Sequence, residues 1–287
     1  MRRAIAIVAS LLFCAIALRA EAAPTTAQDR FFTTSDKVRL HYIEAGRGRT
    51  VVLVPGWSMP AWIFERQIAD LARTYRVIAF DPRGQGDSEI PAVGYDPARR
   101  GQDIAELLTA IGPESAVIVA WSLGVLDTLA YVHTHGDTKI AGLVLVDNSV
   151  GEDPPPAPPA HPTRPGPRLP RDVMMRNFVR GMFHHPPPQP WLDRLTATTL
   201  RLPLPAANAL LAYPVPRTYW KEALYATTRP ILYLVRPKFA GQAGNVAAHH
   251  RTAETAVWQD VGHALFVDQA SRFNALLRDF IARRAWK

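Results

Sequence analysis

One cysteine in 287 residues leaves this chain little sulfur chemistry. Cys14 has no partner for an intramolecular disulfide, so the chain's stability must come from core burial. Phe13, just before it, is too large for a lipoprotein-type processing site, which argues against lipidation. A metal centre built on thiolates is excluded as well. Adjacent histidines occur at His184-His185 and His249-His250. Neighbours in sequence cannot both face one site on a regular element, and neither pair has metal-ligand spacing with carboxylates, so a zinc site is rejected. The phosphate-binding patterns G-x-G-x-x-G and the Walker lysine are missing, and Gly84 and Gly86 do not make a phosphate cradle. No cofactor and no metal is implied. Acidic residues are fewer than basic ones, 25 against 33, for a net charge of +8. The basic residues are dispersed and no stripe interleaves them with aromatics, which argues against a nucleic-acid partner. A soluble basic surface fits best, with weak adsorption to anionic envelope surfaces as the alternative.

Long apolar runs are scarce too. Ala4–Leu18 has 15 residues, short of the roughly 20 that span a bilayer as a helix. It follows the basic Met1-Arg2-Arg3 and precedes Ala20-Glu21-Ala22, an A-x-A-like cleavage site. Residues 1–23 therefore read as a secretory signal peptide, with an uncleaved anchor as the alternative. The expected location is periplasmic or secreted, with no stable membrane insertion after cleavage.

What remains is 48% hydrophobic and long enough for one large domain with an insertion. Residues 24–37 read as an extended lead-in, and Val38–Glu44 alternates as an early antiparallel strand would. Val51–Val54, Val77–Phe80, Ala116–Ala120, Gly142–Val146 and Ile231–Val235 are short continuous apolar runs. Parallel strands covered on both faces look like this. Helical patterns lie between or after them at Ile63–Thr74, Pro97–Ile111, Val125–Thr134 and Ser271–Arg284. The alternation predicts an α/β fold with a mostly parallel sheet and helices on both faces.

Residues 151–229 break the rhythm, dividing the core into 24–150 and 230–287. Nine prolines fall in the first twenty residues of the break. Helical pieces follow at Arg171–Phe183, Trp191–Leu200, Ala206–Tyr213 and Arg217–Ala226. A disordered linker is the alternative to a helical cap, but Met174, Met175, Phe178, Trp191 and Trp220 supply apolar surface that a linker lacks. Pro154–Pro170 alone reads as a stiff hinge.

Chemistry concentrates at Ala116–Gly124. A buried-type strand runs into Ser122, and a helical pattern follows at once. A serine at the apex of a strand–turn–helix is either a helix N-cap or an exposed nucleophile. His263 in a Gly-His loop favours the nucleophile.

The stretch Ala120-Trp121-Ser122-Leu123-Gly124 resembles the G-x-S-x-G turn of the α/β-hydrolase fold family, with Ala120 in place of the first glycine. Four more segments agree in order: Val51–Trp57, where Pro55-Gly56 stands for the usual His-Gly; Asp81–Ser88, like D-x-R-G-x-G-x-S; Leu143–Asp147; and Asp260-Val261-Gly262-His263, like the late D-x-G-H loop. The resemblance spans roughly residues 31–285. It implies Ser122 as nucleophile, His263 as general base and the backbone N–H groups of Leu123 and Trp57 as oxyanion donors. Trp57 reads as a wall of an acyl pocket, with core packing as the alternative, and Arg83 and Asp87, in a glycine-rich loop that makes no phosphate cradle, read as structural. Most members carry the triad acid after the penultimate strand, but Ile231–Gly241 contains no carboxylate. A minority place it one strand earlier, which assigns Asp147, with Glu152 and Asp153 as fallbacks. Asp260 corresponds to a loop residue.

A serine in this position argues against the epoxide hydrolases and haloalkane dehalogenases of the fold, which use an aspartate nucleophile. The expected function is hydrolysis of carboxylic esters, lactones or thioesters with a small or medium, partly apolar acyl group. The oxyanion and Ser122 segments also resemble cofactor-free haloperoxidases of the fold, which act as esterases and can form peracids. Rivals are C–C bond hydrolysis, aminopeptidase action and a catalytically silent ligand-binding member. The oligomeric state is not encoded in any motif.

Overall fold

The computed structural model describes residues 26–156 and 169–287. The expected signal peptide, residues 1–23, lies outside the described residues, as does most of the Pro154–Pro170 segment. The strands are β1 (Gln28–Thr33), β2 (Arg39–Ala45), β3 (Thr50–Val54), β4 (Arg76–Asp81), β5 (Ala116–Trp121), β6 (Ile140–Val146), β7 (Ile231–Val235) and β8 (Ala253–Val257). They form one eight-stranded sheet in the order β1-β2-β4-β3-β5-β6-β7-β8. β1 and β2 are antiparallel to their neighbours. From β4 through β8 every pairing is parallel.

Successive residues of a strand face opposite ways, and here both faces are covered. Val52, Val54, Ile118, Ala120, Leu143 and Leu145 pack on one side. They meet α2 (Pro97–Ala110), α3 (Leu123–His135), α7 (Thr218–Ala226) and α8 (Ala240–His249). Val51, Leu53, Val117, Val119, Val144 and Val146 pack on the other side, against α1 (Glu65–Leu71), α9 (Leu265–Asp268) and α10 (Ala270–Arg284). This two-sided burial is why the central strands read as unbroken apolar runs. Each fully buried Val or Leu contributes about 1.5–3 kcal/mol relative to an exposed one.

The remaining helices, α4 (Arg171–Gly181), α5 (Gln189–Leu200) and α6 (Leu204–Leu210), precede α7, and all four lie between β6 and β7 in the chain. They are tied to the core by specific bonds. Trp57 Nε1 donates to the Ala207 carbonyl (2.8 Å), and Arg100 Nη1 to the Leu210 carbonyl (2.8 Å). Lys221 Nζ and the Tyr225 hydroxyl both donate to Glu152 (2.7 and 2.5 Å).

The elements that differ from the sequence reading lie at the margins. The lead-in at 24–37 contains β1, and β8 lies after an additional helix, α8. Both strands are edge strands with mostly exposed or half-buried side chains, so neither carries the apolar run that marks the centre. The pattern at Ile63–Thr74 resolves into a 3-10 turn, Ala61–Phe64, followed by the shorter α1.

Helices α2 and α3 cross closely at Gly101. A Cβ there would come within 2.8 Å of the Ala130 carbonyl carbon and of the Tyr131 nitrogen. Alanine is the better helix former by about 1 kcal/mol, yet overpacking costs about 1–3 kcal/mol. Gly101→Ala is therefore expected to lower the unfolding free energy in urea titration. An unchanged or raised stability would contradict this crossing.

Candidate active site

The C-terminal ends of three parallel strands and one loop converge. β5 ends at Trp121, and Ser122 takes φ 54° and ψ −123° before α3 begins. A non-glycine residue at positive φ is sterically disfavoured and persists only where its surroundings impose it. Here they do. The Ser122 amide donates to the Val146 carbonyl (2.9 Å), while the Ser122 carbonyl accepts from Val125 N (2.9 Å) and Asn148 Nδ2 (2.8 Å). Gly56 lies so close that an added Cβ would come within 2.8 Å of Ser122 Cβ. Ala120 is fully buried, so the smallest side chain is accommodated where the family motif has its first glycine.

Asp147 follows β6 directly and is likewise held at positive φ, 49°. Its amide donates to the Leu234 carbonyl (2.9 Å), which anchors the turn to β7. The carboxylate is buried and receives three donors. Oδ2 accepts from His263 Nδ1 (2.6 Å) and Arg236 Nε (2.7 Å), and Oδ1 accepts from the Arg236 amide (3.0 Å). Burial pushes this carboxyl up. The hydrogen bond and electrostatic contact with His263, followed by the charge and amide of Arg236, outweigh that and hold it below its ordinary value.

An ionised carboxylate can only accept, so His263 Nδ1 carries the proton and Nε2 is left to accept in the neutral ring. His263 Nε2 lies 2.8 Å from Ser122 Oγ, and the hydroxyl is therefore the donor. The ring stays in place through its loop. Trp121 Nε1 donates to the His263 carbonyl (2.8 Å). The Ala264 amide donates to the Met182 carbonyl (3.0 Å), and Asp268 accepts from the Gly262, His184 and His185 amides (2.7, 3.0 and 3.0 Å). The histidine loop is thus bonded to the chain just beyond α4.

Ser122, His263 and Asp147 are brought into one hydrogen-bonded chain. Glu152 is engaged elsewhere, with Lys221 and Tyr225, and Asp153 neighbours Lys221 and Arg217. Asp260 occupies a left-handed turn, φ 55°, in the histidine loop. Leu123 opens α3, where first-turn amides have no intrahelical acceptor, and Trp57 follows Gly56 on the opposite wall. The Trp57 ring meets Phe178 of α4 edge-on at 5.3 Å. Arg83 is fully buried, with its guanidinium committed to Asp103 (2.5 and 2.7 Å) and Asp36 (3.1 and 3.3 Å). Asp87 pairs with Arg201 at 2.9 Å.

Among the described residues, one carboxylate–histidine group has metal-like spacing: His41, Asp81 and Asp87. Its atoms already brace the loop after β4. His41 Nδ1 meets Asp81 Oδ2 at 2.7 Å, and Asp81 also accepts from the Ala61 and Asp87 amides (2.5 and 2.9 Å).

Arg236 is the site residue that sequence reasoning passes over. Its signal is present, since a charged residue directly follows β7, where the resemblance leads one to expect a carboxylate. A search for an acid discards it.

Comparison with known proteins bears on the family and the fold. A non-heme chloroperoxidase of Kitasatospora aureofaciens is 35% identical over 115 residues, 40% of this chain and 42% of that one. The chain spans less than half the length of the curated relatives it matches. Two solved structures are similar over nearly their whole length. A Burkholderia cenocepacia protein assigned as an aryl esterase is 27% identical with a TM-score of 0.77, covering 89% of this chain and 98% of that one. An esterase from Rhodococcus sp. ECU1013 is 26% identical with a TM-score of 0.74, covering 90% and 99%. The model of the alpha/beta hydrolase family matches residues 51–276, most of the chain, and the chain belongs to that family.

Proposed function

We propose that this protein is a serine hydrolase that cleaves carboxylic esters through an acyl-enzyme. The observation that carries the reading is the Ser122–His263–Asp147 chain, with contacts of 2.8 and 2.6 Å, on a turn whose backbone strain presents the hydroxyl. Ser122 Oγ attacks the ester carbonyl while its proton passes to His263 Nε2. Asp147 holds the ring in the required tautomer and stabilises the imidazolium. The Leu123 and Trp57 amides bond the tetrahedral oxyanion, and each such donor lowers the barrier by about 3 kcal/mol. The proton then goes to the departing alcohol. Water, deprotonated by His263, releases the acid and restores Ser122. The esterases among the similar structures support the ester class.

The acyl group lies, in this reading, against Trp57. Bonded to the Ala207 carbonyl and packed on Phe178, that ring closes one end of the site and favours short or medium acyl chains. The basic-then-apolar segment 1–23 supports action in the periplasm or outside the cell.

The reading is tested with p-nitrophenyl esters of graded acyl length and with a fluorophosphonate that labels activated serines. Wild type is expected to turn over esters and be labelled. Ser122→Ala and Asp147→Asn are expected to lose about 10³-fold or more in kcat. Activity surviving in Ser122→Ala, or a protein neither active nor labelled, would overturn the assignment. Activity lost in Ser122→Ala but kept in Asp147→Asn would remove Asp147 from the mechanism.

A second variant addresses the pocket. Trp57→Ala opens the wall, so the kcat/KM ratio of hexanoate over acetate ester is expected to rise about tenfold, the scale of one or two methylenes in an apolar pocket. Using a ratio cancels any disturbance of the oxyanion amide. An unchanged ratio would place the acyl chain elsewhere.

A further inference from the structure

Arg236 grips both oxygens of Asp147. Its side-chain Nε donates to Oδ2 at 2.7 Å and its own amide to Oδ1 at 3.0 Å. This two-point hold fixes the plane of the carboxylate. Oδ2 is the oxygen that also meets His263 Nδ1, at 2.6 Å. Arg236 Nη2 lies 3.4 Å from the same Nδ1. Both of those nitrogens carry protons, so this last contact is a neighbouring cation, not a further hydrogen bond.

We infer that Arg236 is a positioning residue for the proposed ester hydrolysis: it aims Asp147 Oδ2 at His263 and thereby sets the imidazole against Ser122. The inference rests on the serine-hydrolase reading. Two effects of the guanidinium oppose each other. Its bonds orient a buried carboxylate, which speeds proton transfer. Its charge opposes the positive charge that His263 gains during turnover, which slows it. Arg236 is 30% exposed, and water screens the charge at such a site. The directional bonds to a fully buried partner are not screened in this way, and orientation dominates.

The two effects predict opposite outcomes for Arg236→Met, which keeps length and the backbone amide but removes the Nε donor. If orientation dominates, kcat on p-nitrophenyl esters falls about tenfold or more, with KM within twofold of wild type. Arg236→Lys, which keeps one donor, recovers at least threefold of that loss. The downfield proton resonance of the His263 Nδ1–H···Asp147 bond, read by NMR without substrate, broadens or shifts in Arg236→Met and is partly restored in Arg236→Lys. Circular dichroism melts confirm that each variant is folded.

A kcat in Arg236→Met equal to or above wild type, with an unchanged resonance, would overturn the inference while leaving the ester reading intact. Equal losses in kcat and KM that lysine does not rescue would also overturn it. A wild type that cleaves no ester but whose resonance depends on Arg236 would end the ester reading and support the positioning role.

Discussion

Gly124 presses against the Val54 and Pro55 carbonyls, where an added Cβ would come within 2.6 and 2.7 Å. That closeness of α3 to the end of β3 leaves one path for the chain between β5 and α3, a tight turn through positive φ at Ser122. The same approach brings Gly56, and with it the Trp57 amide, alongside the serine. Everything proposed for the site follows from this packing, because a wider turn would lower Ser122 into the helix and separate the two walls. The sheet does the rest. Parallel strands end on one side, so the residues following β5 and β6 meet there without any long excursion of the chain.

Two buried aspartates differ in the direction of their shift. Asp127 in α3 is fully buried beside one guanidinium, Arg100, at 3.1 Å. Burial, opposed by Arg100 and reinforced by Asp103, pushes it up to about 6. Asp147 is also buried, yet three donors hold it below the ordinary value. The first sits between core helices, and the second accepts a hydrogen bond from a histidine. Two of the three donors to Asp147 come from Arg236, an arginine at the place where the family resemblance leads one to seek a carboxylate.

The central strands are legible in sequence because burial on both faces demands consecutive Val, Ile and Leu. Ser122 and His263 are legible because a strand–turn–helix and a Gly-His loop have local signatures. Asp147 is reached only by combining the resemblance with the lack of a carboxylate after β7. β1 and β8 escape notice because edge strands with one neighbour and exposed side chains need no apolar run. Helix α8 escapes for a related reason: Gly241, Gly244 and its alanines give it little amphipathic contrast, and only Gln242, Ala243 and Val246 are buried within it. The Trp121 bond to the His263 carbonyl and the Asp268 brace join residues far apart in the chain, and no local pattern announces them.

The most direct test of the account is to catch the covalent intermediate. The protein would be mixed with a short-chain p-nitrophenyl ester, quenched in acid during turnover, and its intact mass and peptides measured. The account predicts one acyl group per chain, carried by the peptide containing Ser122. Ester turnover with no adduct, or with the acyl group on another residue, would contradict it.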